Sequence, residues 1–305
     1  MEGAVKFTGQ SKDEVGLDSK AAAVRWLEYL HRIRTREFNL IFGRCPPALF
    51  AKGLELGAGD GYQSRLLSRH VLTLICTDFE DDVPGRAACP GVEYRRCDAE
   101  EVDSYFGERE FDLVYSSNLL EHLPDPAAAL RGIHRILRDD GLALHVVPNL
   151  FWKASHLAGF YPTLAARVMR ALFTPASLRR FVARLVMRRA SGAEAVGSRR
   201  APTNNPKMLP CRERLLWPTP HGAYQSNVQE LYAFSKRRWL REFDAAGFSV
   251  AKVLRGPVAS GYGFGLDRIR LSLERAGFSS EYVYVTVKRG HASPFVAYFL
   301  TSDTR

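Results

Sequence analysis

Strand-like apolar runs alternate with helical patterns from Phe50 to Asn149, and no other feature of the chain limits its fold so tightly. The runs are GLELG, VLTLICTDF, VEYRRCD, FDLVYSS and GLALHVVPN, with helices predicted from about Asp60 to His70 and from about Asp125 to Leu137. Repeated β-α steps of this kind predict an α/β, doubly wound, Rossmann-like parallel sheet.

The first strand runs into a turn with Gly57, Gly59 and Gly61, a G-x-G-x-G pattern. The dinucleotide fingerprint G-x-G-x-x-G would need its third glycine at Tyr62, so that ligand is disfavoured. Glycines at a strand-to-helix turn let a ligand approach the backbone where a side chain would collide. In open parallel sheets the ligand lies beyond the carboxyl ends of the strands. Asp78, Asp98 and the Ser117-Asn118 pair end the second, third and fourth runs, so the pattern brings them to the same crevice. Glu55 precedes the turn and Asp60 lies within it. Such acidity repels a pyrophosphate and suits a nucleoside that carries a sulfonium and an ammonium, with a carboxylate left for a ribose diol.

These segments resemble the class I S-adenosylmethionine-dependent methyltransferases, in the broad small-molecule (type 11-like) branch that includes quinone and sugar methyltransferases. LELGAGDG is similar to that family's first motif, CTDFE to its acidic second motif and RCDAEEV to its adenine-side motif. FDLVYSSNLLEHLPDP and ILRDDGLALHVVPN resemble the last two. The resemblance implies a seven-stranded methyltransferase sheet with S-adenosylmethionine as cofactor and S-adenosylhomocysteine as product. It implies that the backbone of Gly57, Ala58 and Gly59 runs beneath the methionine part and that Asp78 takes the ribose hydroxyls. Phe79 lies against the adenine, Asp98 meets its amino group and Ala99 contributes backbone. Asn118 and Leu119 line the methionine side, and Glu55 orients the ammonium directly or through water. Asp98, followed by Glu100 and Glu101, also reads as an N-cap with an acidic first turn.

Methyl transfer from a sulfonium requires nucleophile, methyl and sulfur to be held in line, and a hydroxyl acceptor also needs a base near neutral pH. Among the eight histidines, His221 in a polar glycine-containing loop and His122 in LLEHLPDP are the candidates. His145 falls in a strand and His134 on a helix, while His31, His70, His156 and His291 lack supporting context. The place after the fourth strand reads Ser117-Asn118-Leu119-Leu120, without the Pro-Pro-aromatic pattern of base-directed amino methyltransferases, which disfavours exocyclic base N-methylation. No residue set has convincing metal-ligand spacing. The predicted reaction is O-methylation of a small molecule, a glycan or a lipid-linked intermediate. C- or N-methylation, an RNA-directed enzyme and a non-catalytic cofactor-binding scaffold are the alternatives.

Four regions are predicted: an N-terminal helical segment (1–47), the cofactor-binding core (48–150), a basic helical insertion capping the acceptor site (151–230) and the C-terminal part of the sheet (231–305). In the first, a helix from about Ser19 to Phe42 sets Val24, Leu27, Leu30 and Ile33 along one face. In the insertion, thirteen cations between Phe151 and Leu215 face only Glu194 and Glu213, a surplus that exceeds the chain's net charge of +10. A helix is predicted there with Thr174 as N-cap, Pro175 at its first position, Leu178, Phe181, Val182, Leu185 and Val186 on one side and Arg180, Arg184 and Arg188 on the other. It fits a solvated lid or dimer helix, contact with an anionic membrane, capture of a phosphate-bearing or lipid-linked acceptor, or RNA. Beyond it, a helix capped by Ser235 and closed by Gly247 is predicted, followed by strands at FSVAKVL, EYVYVTVK and FVAYFLT with a helix at LDRIRLSLERAGF. The five cysteines form no C-x-x-C pair and read as reduced thiols. Without a signal-peptide pattern at the start, the expectation is a cytoplasmic protein, at most peripheral at a membrane.

Overall fold

A computed structural model describes residues 17–80, 91–173, 227–259 and 266–300. Seven strands form one sheet in the order β3-β2-β1-β4-β5-β7-β6. They are β1 (Phe50–Leu56), β2 (Val71–Asp78), β3 (Val92–Arg96), β4 (Phe111–Ser117), β5 (Leu137–Pro148), β6 (Phe248–Arg255) and β7 (Glu281–Lys288). All pairings are parallel except those of β7, which runs antiparallel to both β5 and β6. The order reverses between β1 and β4, and there the ligand crevice of an open sheet opens.

Helices cover both faces, which is why the central strands read as nearly unbroken apolar runs. On one face, Leu54, Leu56, Val114 and Ala143 pack with Val102 of α3 (Val102–Tyr105), with Leu130 and Ile133 of α4 (Pro126–Ile136) and with Trp239 and Phe243 of α7 (Lys236–Ala245). On the other, Leu113, Tyr115 and Leu144 meet Phe38, Ile41 and Phe42 of α1 (Leu17–Phe42), Leu67 of α2 (Tyr62–Leu67) and Phe299 of α9 (Ala297–Leu300). Side-chain caps open α4 and α7, and the one at Ser235 follows the sequence expectation. Asp125 accepts from the Ala128 amide at the start of α4, and Ser235 accepts from the Arg238 amide at the start of α7. Gly247 closes the latter with φ +88°. The helix at LDRIRLSLER is α8 (Asp267–Arg275).

Two expectations need correction. FVAYFLT is not a strand: Pro294 opens a 3-10 turn, Pro294–Val296, that continues into α9. Its ring removes the amide a ladder would need and fixes φ for a helical start, while Phe295 and Phe299 dock on Phe50 and Phe42. On α1 the buried side is not Val24-Leu27: both are exposed, and the stripe facing the sheet is Tyr29, Ile33, Glu37 and Ile41, spaced by four. Burial is dictated by the half of the helix that lies over the sheet. After β5 the chain forms α5 (Leu150–Phe173), which continues through Pro162. Lys153 of α5, counted in the basic surplus, is fully buried and ion-paired at 2.5 Å with Glu230 of α6 (Asn227–Ala233). The predicted helix from Thr174 lies outside the described residues. Cys45, Cys76 and Cys97 are buried and not in disulfides.

Candidate functional site

The glycine turn stands where the sheet order reverses. Gly57, Gly59 and Gly61 have φ of +73°, +52° and +74°, left-handed values at which a side chain is strained. They differ in their surroundings. A Cβ on Gly57 would lie 3.0 Å from Leu119, so turn and β4 loop pack closely, whereas a Cβ on Gly59 would meet nothing within 4 Å. The Gly59 backbone therefore borders open space.

Asp78, at the tip of β2, accepts from the Gly59 amide at 2.8 Å through Oδ2 and from the Glu80 amide at 3.3 Å through Oδ1. Next to it Phe79 is exposed, with the Arg96 guanidinium 5.5 Å from its ring centre. Asp98 follows β3 and accepts from the Glu100 amide at 3.0 Å, capping the 3-10 turn Ala99–Glu101. The N-cap geometry is thus present, and it fixes the carboxylate at the sheet's carboxyl edge. Glu55 is buried inside β1, where its Oε2 accepts from Ser64 Oγ of α2 at 2.5 Å and from Cys76 Sγ at 3.1 Å. It joins β1 to β2 and α2. Asp60 bonds the Tyr62 amide at 3.0 Å and His31 Nε2 at 2.8 Å. Ala58 is buried, its amide bonded to Thr77 O at 2.9 Å.

The wall at the tip of β4 is built with help from α1. Asn118, at the tip of β4, has φ +52°, a conformation asparagine tolerates better than most residues. In the amide orientation that satisfies both groups, its side-chain oxygen accepts from Arg34 Nη1 at 2.8 Å and Nη2 at 3.1 Å. Arg34 also donates to Glu37 Oε2 at 2.5 Å and Ser117 Oγ at 3.2 Å, and lies 3.9 Å from Glu281. Glu37 in turn accepts from Gln63, Tyr115 and Ser117 at 3.0, 3.2 and 2.9 Å. Burial would lower the Arg34 pKa, but the Glu37 and Glu281 charges more than offset it and hold the guanidinium above its ordinary range.

Glu121 belongs to the same neighbourhood. Its side chain is fully buried with neither oxygen hydrogen-bonded among the described residues. Burial, aided by the Glu37 charge and opposed by Arg34, pushes its pKa up to about 8. Glu281 is raised well above the carboxylate range, first by burial and then by Glu37. The Arg34 guanidinium thus offsets the Glu37 charge, while burial disfavours the ionised forms of Glu121 and Glu281.

His122 is half-exposed, its Nε2 3.9 Å from Glu121, and burial lowers its pKa. His221 lies outside the described residues. His145 is buried against Ser116 Oγ at 2.8 Å, with its pKa lowered to about 3 by burial. Sequence spacing did not reveal His31, Arg34, Glu37 or Glu281. A helical period identifies a face but not the element across from it, and a charged residue within that face, Glu37, is the one signal available. Among the described residues no group of three or more His, Cys, Asp or Glu could hold a metal ion. Nor is any helix among them long and apolar enough to cross a membrane.

The open Gly59 backbone, the Asp78 carboxylate beside it and an exposed aromatic ring at the β2 tip fit a nucleoside with a ribose diol. Residues 23–185, more than half of the chain, match the family model described as Methyltransferase domain. The chain belongs to this family. Fold and family are those of the class I S-adenosylmethionine-dependent methyltransferases. The chain is 30% identical over 134 residues, 40% of its length and 57% of the relative's, to a ubiquinone biosynthesis O-methyltransferase of Pseudomonas syringae pv. tomato. It is 28% identical over 117 residues, 37% and 42% of the two chains, to a Mycobacterium tuberculosis (strain ATCC 25618 / H37Rv) protein named "Probable S-adenosylmethionine-dependent methyltransferase". It therefore spans about half the length of these curated relatives. Its fold is shared with a chain of the complex between the Haloferax volcanii Trm112 methyltransferase activator and a methyltransferase, with a TM-score of 0.50 over 90% of this chain and 96% of that one at 15% identity.

Proposed function

We propose that the protein transfers the methyl group of S-adenosylmethionine to a hydroxyl oxygen of a small molecule, a glycan or a lipid-linked intermediate. The observation that carries the donor half is the Asp78 contact to the Gly59 amide at 2.8 Å, beside open backbone at the sheet's switch point. Asp78 and Asp98 would hold the ribose and adenine ends, Phe79 would stack on the base, and Gly57 to Gly59 with Asn118 and Leu119 would line the methionine end. When bound, the donor supplies an electrophilic methyl on a positively charged sulfur. The chain's own residues bind, align and exclude water, since charge is consumed in the transfer and alignment governs the rate.

The hydroxyl acceptor is supported by the likeness to ubiquinone biosynthesis O-methyltransferases over the matched 134 residues. Thermal shift with S-adenosylhomocysteine tests the donor site, and transfer of labelled methyl into small-molecule, glycan, lipid and RNA fractions tests the acceptor. Label in an alkali-stable ether of a small hydroxyl compound is the expected result. Label confined to RNA or to an amine contradicts the reading.

A further inference from the structure

α1 does more than roof the sheet. His31 Nε2 lies 2.8 Å from Asp60 Oδ2, within the glycine turn itself. A carboxylate only accepts, so this bond fixes the neutral ring as the Nε2–H tautomer and leaves Nδ1 as its proton acceptor. The ring is held flat: it stacks on Tyr62 at 3.8 Å with 7° between planes, and the Tyr62 hydroxyl is 2.7 Å from Thr35 Oγ1, which donates to the His31 carbonyl. Histidine and carboxylate remain reachable, with side chains 25% and 36% exposed. Together with Arg25, Glu28, Arg32 and Tyr62, His31 lines an open cavity of about 540 Å³. Arg25 and Arg32 bring two guanidiniums to that cavity beside the Glu28 carboxylate, while the Asp60 carboxylate is engaged by His31, and a guanidinium's forked donors suit an anionic group.

We propose that this cavity is the acceptor subsite, that Arg25 and Arg32 bind an anionic group of a hydroxyl compound, and that His31, oriented by Asp60, is the general base. The inference rests on the methyl-transfer reading above. In the step, His31 Nδ1 takes the hydroxyl proton and the acceptor oxygen forms the new carbon–oxygen bond. The methyl–sulfur bond breaks, and its electron pair returns to sulfur and neutralises the sulfonium.

The test is nitrogen-15 NMR of the histidine-labelled full chain saturated with S-adenosylhomocysteine. The probes are 3,4-dihydroxybenzoate with catechol as its uncharged counterpart, and glycerol 3-phosphate with glycerol as its counterpart. His31 is expected as the Nε2–H tautomer at pH 8. At least one anionic probe is expected to bind tenfold or more tightly than its counterpart and to move the Nδ1 resonance toward that of a hydrogen-bonded nitrogen. The arm that responds distinguishes carboxylate from phosphate. Arg25→Ala with Arg32→Ala should erase that preference without changing affinity for S-adenosylhomocysteine. Equal binding of charged and uncharged probes, a Nδ1–H tautomer, or weakened S-adenosylhomocysteine binding in the double variant would overturn the inference. Failure of S-adenosylhomocysteine to bind the unaltered chain would instead remove the methyl-transfer reading beneath it.

Discussion

Asp78 at the tip of β2 accepts a hydrogen bond from the Gly59 amide at 2.8 Å, so the acid that ends the second strand and the backbone of the first turn form one unit. Removing the carboxylate loosens the turn and deletes the partner expected for a ribose diol. Hydrogen bonds to charged groups contribute about 1.5–3 kcal/mol. Asp78→Ala should accordingly weaken S-adenosylhomocysteine binding roughly 10- to 100-fold, read by calorimetry.

Gly59→Ala separates ligand space from fold strain. An added methyl would touch nothing within 4 Å in the protein, yet φ is +52°. The backbone cost is about 1–2 kcal/mol, which lowers the melting temperature by a few degrees. Because the same methyl points into the space assigned to the donor, affinity for S-adenosylhomocysteine should fall more than tenfold. Equal affinity in variant and parent would show that the open face of Gly59 is not the donor's.

Lys153 and Glu230 are both fully buried and 2.5 Å apart. Truncating one member of such a pair costs about 3–5 kcal/mol, because a charge is left without compensation. Glu230→Ala should show that loss in urea denaturation, and Lys153→Met combined with Glu230→Leu should recover most of it.

Glu121 makes stability depend on pH. Its carboxyl, raised to about 8 by burial, keeps a proton in the folded chain that the unfolded chain releases from about pH 4.5 upward. Its contribution is therefore complete below 4.5, falls as pH rises between 4.5 and 8, and is gone above 8. His145, lowered to about 3, acts oppositely: stability is present above about 6.5 and is lost as pH falls toward 3. Glu121→Gln should flatten the alkaline side, so urea denaturation should find its stability relative to the parent rising from pH 5 to pH 8. A constant difference across that range would contradict the assignment.

The sheet and its ligand edge were legible because each depends on local chemistry: apolar runs for strands, glycines for a left-handed turn, an acid where a strand stops. The α1 side of the site was not. His31 meets Asp60, and Arg34 meets Asn118, only after the helix has crossed the sheet, and helical periodicity carries no information about what lies opposite. FVAYFLT misled because a short unbroken apolar run suits a strand as well as a short helix, and Pro294 decides between them. His221 and the arginines after Thr174 belong to residues the structure does not describe, and their part in acceptor choice rests on the sequence.

The donor site is central, and isothermal titration calorimetry of the full chain with S-adenosylhomocysteine tests it most directly. The account predicts saturable binding of one equivalent, which Asp78→Ala weakens at least tenfold while the chain stays folded. Absence of binding heat from folded protein at several temperatures, with either S-adenosylhomocysteine or S-adenosylmethionine, would contradict it.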